Sequence, residues 1–245
     1  MSRRSSTWLT LLVTAAMLVA VIRWHPADEF VTVRRAIGLG PERALPAPSV
    51  VRQGGAYAFT RTQPGTAGDP VGWDPCEKIR FEVNPAGEPP GGRGLIDRAL
   101  DRVSRATGLA FEDEGETDRR PFPDGVRLFG RPDPVVIGWG TPAEYPGLAG
   151  RVAGLGGPAA ERGSDGRLHF VGGGVVLDVE AFTAAAIAQE PRVMEAIVLH
   201  ELAHVVGLDH VDEPMELMYA DNTGQVELGP GDREGLARLG SLPCS

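Results

Sequence analysis

His200-Glu201-Leu202-Ala203-His204-Val205-Val206-Gly207-Leu208-Asp209-His210 is the stretch on which the reading of this chain turns. Around it, residues 192–206 are apolar on a helical period, with Val193, Ala196, Ile197, Leu199 and Val205 able to face a core. Side chains four apart stand above one another on one helix face. The imidazoles of His200 and His204 can therefore reach a single ion, at about 2.0–2.1 Å per nitrogen for zinc. Glu201 stands one step round the helix, so its carboxylate projects beside such an ion and can take a proton from water there. Gly207 lets the chain leave the helix through a backbone conformation that other residues adopt at a cost. The turn it makes can bring His210 back as a third ligand. Three neutral imidazoles with one position left open is the arrangement of a catalytic zinc, whereas a structural site is closed by four protein ligands.

A bare His-Glu-x-x-His occurs by chance in many chains. The longer string fixes five residues within eleven positions, on a helix followed by a turn, and chance no longer accounts for it. The chain has five histidines and three of them are here. His25 and His169 read as structural or incidental.

Working outward, Lys78-Ile79-Arg80-Phe81-Glu82-Val83 alternates polar and apolar residues, as a half-buried strand does. Leu95, Ile96, Ala99, Leu100, Val103 and Ala106 then share one helix face, with Gly108 placed as the stop. Leu109-Ala110-Phe111 can begin a second strand, and the acidic run over residues 112–118 reads as a solvated loop. Pro134-Val135-Val136-Ile137-Gly138-Trp139 reads as a buried strand. Residues 150–157 suit a short edge strand. Residues 167–178 suit a further strand, interrupted by Gly172, Gly173 and Gly174. Strands alternate with helices early and helices close the chain, which is an α+β pattern, a mixed sheet with a few helices.

The chain has 245 residues, 42% of them hydrophobic, enough for one ordinary domain with sequence to spare. Thirty-three Gly and 21 Pro argue for many turns and against a helical bundle. The net charge of −9 and the lack of a basic stripe with interleaved aromatics argue against a nucleic-acid partner. Residues 26–72 lack periodicity and read as a linker or short pro-segment.

Arg3 and Arg4 precede an apolar run over residues 8–22. Such a run spans about 22 Å as a helix, short of the roughly 30 Å hydrocarbon core. This is the charged-then-apolar order of an export signal, yet no small-residue cleavage site follows and Trp24 suits a membrane interface. Residues 1–25 are thus either a cleaved signal peptide or a retained membrane anchor. In both cases the rest of the chain is expected outside the cytoplasm. Cys76 and Cys244 are the only cysteines. In an oxidising compartment they read as a disulfide joining the two ends of the folded region. The rival is that Cys76 is a latch thiolate over the metal.

The run from His200 to His210, followed by Met218, resembles the long zinc-binding motif and Met-turn of the metzincin proteases. Gly207-Leu208-Asp209-His210 and Leu217-Met218-Tyr219 look most like the matrixin branch, the matrix-metalloprotease type. The resemblance covers the order of elements over residues 73–245. It implies the metzincin, or zincin-like, fold: a twisted mixed sheet of about five strands with an antiparallel edge strand, a zinc-binding helix and a C-terminal helix. It also implies zinc held by His200, His204 and His210, Glu201 as general base, Met218 beneath the metal, Tyr219 near the cleft, and an extended peptide lying along the edge strand. Val211 stands where animal matrixins usually have Ser, and Ala220 where a Pro is usual. The histidines of the second, structural zinc and a cysteine-switch motif are missing, as in a compact bacterial-type relative. Calcium is left open, with only scattered acids such as Asp178 and Glu180 to suggest it. The expected activity is hydrolysis of extracytoplasmic proteins or peptides. The alternative is a catalytically silent zinc domain serving adhesion or regulation. Oligomeric state is not legible.

Overall fold

The computed structural model describes residues 42–122, 133–163, 165–221 and 224–244, together with Thr14 and Met17. Apart from Thr14 and Met17, the apolar run near the N-terminus lies outside the described residues, as does His25. Among the described residues no helix is long and apolar enough to cross a membrane.

The elements in chain order are β1 (Ala58–Phe59), β2 (Ile79–Val83), α1 (Gly92–Thr107), β3 (Phe111–Glu116) and β4 (Val135–Gly140). After a short 3-10 turn come β5 (Gly154–Arg162), β6 (Leu168–Asp178), α2 (Ala184–Gln189), α3 (Pro191–Val206), β7 (Leu208–Asp209) and α4 (Pro230–Gly240). Five strands form one sheet in the order β3-β2-β4-β6-β5. The first four are mutually parallel, and β5 joins antiparallel to β6 at the far edge. This is the mixed α+β sheet with an antiparallel edge strand that the resemblance implied.

The sheet forms because its central strands are apolar on both faces. β4 is buried at all six positions, and Val175, Val176 and Leu177 of β6 are fully buried. That is the pattern of a strand covered from both sides. β2 alternates, with Ile79, Phe81 and Val83 inward. On α1, Leu95, Ile96, Ala99, Leu100 and Val103 form the buried stripe, which packs against α3. Each such Leu or Ile contributes about 1.5–3 kcal/mol by leaving water. Gly108 ends α1 in the left-handed region, at φ 65°, and its N–H closes on the Ser104 carbonyl. Trp73 secures α3 at its other end, its indole N–H donating to the Val205 carbonyl at 2.9 Å.

Three expectations need correction. The acidic run is not a loop: Phe111–Glu116 is strand β3, in parallel register with β2. It is an edge strand whose carboxylates find cations: Lys78–Glu112 at 2.9 Å, Arg80–Glu114 at 3.1 Å, and Arg93 with Asp113. Backbone pairing and neighbouring positive charge outweigh the low strand propensity of Asp and Glu. The glycines of β6 do not interrupt it. A Cβ on Gly173 would meet the Pro158 Cα at 3.1 Å and crowd the Gly157 carbonyl, so this glycine lets β5 come close. The edge strand begins at Gly154, later than expected, and runs on to Arg162.

Residues 43–72 also differ from a linker. The compact unit begins at Arg43, so Trp73 is not its boundary. Val71 is fully buried in the core, and β1 pairs antiparallel with β7. Sequence periodicity missed this because the stretch is held by scattered backbone pairs with other elements instead of by one apolar face.

Candidate metal centre and active site

α3 carries His200, Glu201 and His204 at its C-terminal end, where Gly207 turns the chain at φ 120°. A side chain at Gly207 would be strained there and would meet the Phe170 ring at 2.9 Å. The turn leads through β7 to His210. Its ring returns to the other two: His210 Nε2 lies 3.0 Å from His200 Nε2 and 3.2 Å from His204 Nε2.

Partners on the far side of the rings decide what these nitrogens can do. His200 Nδ1–H donates to the Leu217 carbonyl at 2.8 Å, and His204 Nδ1–H to the Leu208 carbonyl at 2.7 Å. A carbonyl only accepts, so both Nδ1 atoms carry the proton and both Nε2 atoms present lone pairs. Burial, reinforced by the neighbouring imidazoles, pushes the His200 pKa down to about 3, and burial also lowers that of His204. These rings are held neutral. Converging lone pairs repel one another unless a cation lies between them. Nitrogens about 2.0–2.1 Å from a tetrahedral zinc stand roughly 3.3 Å apart, close to the separations found here. The residues fit a zinc ion. Among the described residues the other group with metal-ligand spacing is Asp74, Cys76 and Cys244, and there the two cysteines are joined to each other as a disulfide. The bond is the pairing expected from sequence, and it removes Cys76 as a latch.

Glu201 is 6% exposed and lies under β5. A Cβ on Gly154 would meet its Cγ at 2.8 Å, and one on Gly156 would collide with its backbone carbonyl. The two glycines bring the free sheet edge directly over the carboxyl group. Burial pushes the Glu201 pKa up to about 8, opposed by the Gly156 N–H that donates to it. A carboxyl group so placed is a proton acceptor or donor near neutral pH. No feature of the sequence singled out Gly154 or Gly156.

A cleft of about 750 Å³ opens over these residues. Its walls include Leu155 and Gly156 of β5, Val193 and Ile197 of α3, and Ala220 and Asp221 after the loop. Val193 and Ile197 were expected in the core, yet they are half-buried and face the cleft on the same helical stripe as His200. Tyr219, expected near the cleft, is half-buried, and its backbone bridges to Val211. Met218 is buried in the core, next to the Leu217 carbonyl that orients His200.

Two acids that the sequence did not single out hold this loop. Asp232 accepts the N–H of Leu217 at 2.5 Å and of Gly229 at 2.7 Å. Glu216, 1% exposed, accepts those of Gly231 and Asp232, both at 2.9 Å. Burial, assisted by the charge of Glu216, raises the Asp232 pKa to about 6 against the pull of those N–H donors.

Compared with known proteins, residues 156–240 match the family model of the matrixins. This part of the chain is matrixin-like. The matched stretch runs from the edge strand over Glu201 to the end of α4, so it contains all three imidazoles, the turn at Gly207 and Met218. A search of curated proteins finds no match. The matrixins are a zinc metalloprotease family. The donor set, the tautomers and the spacing of the nitrogens are independent grounds for the same metal.

Proposed function

We propose that the chain is a zinc-dependent endopeptidase acting on proteins or peptides outside the cytoplasm. The observation that carries the reading is the convergence of three Nε2 atoms beside a buried carboxyl group in a cleft. His200, His204 and His210 would hold the metal. When bound there, zinc supplies Lewis acidity, lowering the pKa of water toward about 7 and polarising a carbonyl.

The remaining work falls to the chain itself. Glu201 accepts the proton of the attacking water and returns it to the leaving amine. The Gly156 N–H and the cover of Gly154 keep that carboxyl group aimed into the cleft. Among the described residues β5 is an edge strand of its sheet, so outer backbone groups other than the Gly156 N–H can pair with an extended peptide as an added strand. Val193 and Ile197 offer an apolar wall to one substrate side chain. An extracytoplasmic site is supported by the Cys76–Cys244 disulfide and by the charged-then-apolar N-terminus.

A generic peptide library tests the reading. Cleavage at internal bonds is expected, abolished by a chelator and restored by zinc. A chain that binds zinc and cleaves nothing in the library would point to the catalytically silent domain.

A further inference from the structure

Residues 43–72 bear on the metal centre in a way that a linker or a shed pro-segment would not. Arg43 donates to the Gly240 carbonyl at 2.5 Å, and the chain then runs along α4. There Gln53 N–H reaches Glu234 and Arg238 stacks over the Tyr57 ring at 5.5 Å. Gly231 has no room for a side chain because the Ala56 backbone passes against it. The stretch next pairs as β1 with β7, in the register Ala58 to Asp209 and Phe59 to Leu208. The Thr60 N–H donates to the Gly207 carbonyl at 2.9 Å. Gln63 closes the stretch, exchanging hydrogen bonds of 2.7 and 2.9 Å with the backbone of Leu168.

β7 is where the geometry of the imidazoles is set. The Leu208 carbonyl receives His204 Nδ1–H, and the Asp209 carboxylate receives the His210 backbone N–H. In the two-stranded sheet that β7 forms, β1 is its partner. Without β1, the Gly207 carbonyl would lose its Thr60 donors, and the loop carrying His210 would be held only from its far side, where Val211 bridges to Tyr219. Among the described residues, no His, Cys, Asp or Glu from 43–72 has metal-ligand spacing with the imidazoles, and the stretch reaches the cleft through Thr60 at its wall.

We propose that residues 58–60 are positioning residues for the metal centre, and that the working enzyme retains them. Pairing with Gly207–Leu208–Asp209 fixes the carbonyl that orients His204 and the loop that returns His210. The proposal rests on the zinc reading above.

Its test compares full-length wild type with Thr60→Pro, which deletes the N–H donated to Gly207, and Gln63→Ala, which loosens the same stretch from β6 only. Zinc affinity is read by chelator competition, and the melting temperature of the zinc-free protein is read alongside. Orienting partners of metal-bound histidines are worth about 10–100-fold in affinity, so Thr60→Pro should weaken zinc by roughly 10-fold or more. Gln63→Ala should lower the melting temperature and leave zinc affinity within about twofold of wild type, since it touches no orienting partner. Equal affinity in Thr60→Pro and wild type would overturn the proposal while leaving the zinc reading intact. Wild type without zinc would overturn both. The intact mass of the active wild-type species gives a reading independent of any variant: it should include residues 57–72. Activity that appears only after those residues are cut away would also overturn the proposal.

Discussion

Glu201→Ala is expected to keep zinc bound and to lose turnover by about 10²–10⁴-fold, the range in which general acid–base groups contribute. The side chain is not among the converging nitrogens, so its removal leaves the donor set whole. It is buried beneath the sheet edge where a peptide would pair, and burial raises its pKa to about 8, within reach of neutral pH. The loss should fall on kcat, with zinc content and melting temperature little changed. Glu201→Gln refines the result, because it preserves shape and the Gly156 contact while losing the ability to accept a proton. Activity in either variant equal to wild type would remove the assigned base.

Breaking the Cys76–Cys244 disulfide is expected to have the largest effect on stability. The bond spans a sequence separation of 168, tying the approach to β2 to the end of the chain beyond α4. Cross-linking a loop of that length removes about 5 kcal/mol of entropy from the unfolded chain. For a domain of this size that corresponds to a fall in melting temperature of roughly 10–20 °C. Thermal unfolding with and without reductant measures it, with the Cys76→Ala/Cys244→Ala double variant as the control that needs no reductant. Peptidase activity well below the transition should be unchanged, since the two sulfurs group with Asp74 and not with the imidazoles. Higher activity on reduction would instead favour the latch that the disulfide excludes.

The zinc-site helix was legible because its chemistry is local. A spacing of four, a glycine and a returning histidine place three rings within one turn and one loop, and short-range geometry follows from sequence. β2, β4 and α1 were legible for a similar reason, each carrying an uninterrupted apolar pattern of period two, a buried run, or period 3.6. β3 was not, because its acids are compensated by Lys78, Arg80 and Arg93 on other elements, and partners across a sheet leave no mark on the strand itself. The stretch from Arg43 to Gly72 was missed because it is held by backbone pairing and by close approaches at Gly231 and Gly235, which composition does not report. The sequence did not single out Glu216 or Asp232. Only the fold reveals that they bind helix and loop N–H groups out of water, and that Asp232 thereby holds the Leu217 segment that orients His200.

The central claim is that three imidazoles grip one zinc ion. Elemental analysis of the purified full-length chain beside His210→Ala tests it most directly. One zinc per wild-type chain is predicted, with the metal lost or greatly weakened in the variant while its circular dichroism stays native. Wild-type protein carrying no zinc after exposure to it, or a variant that holds zinc as tightly as wild type, would contradict the account.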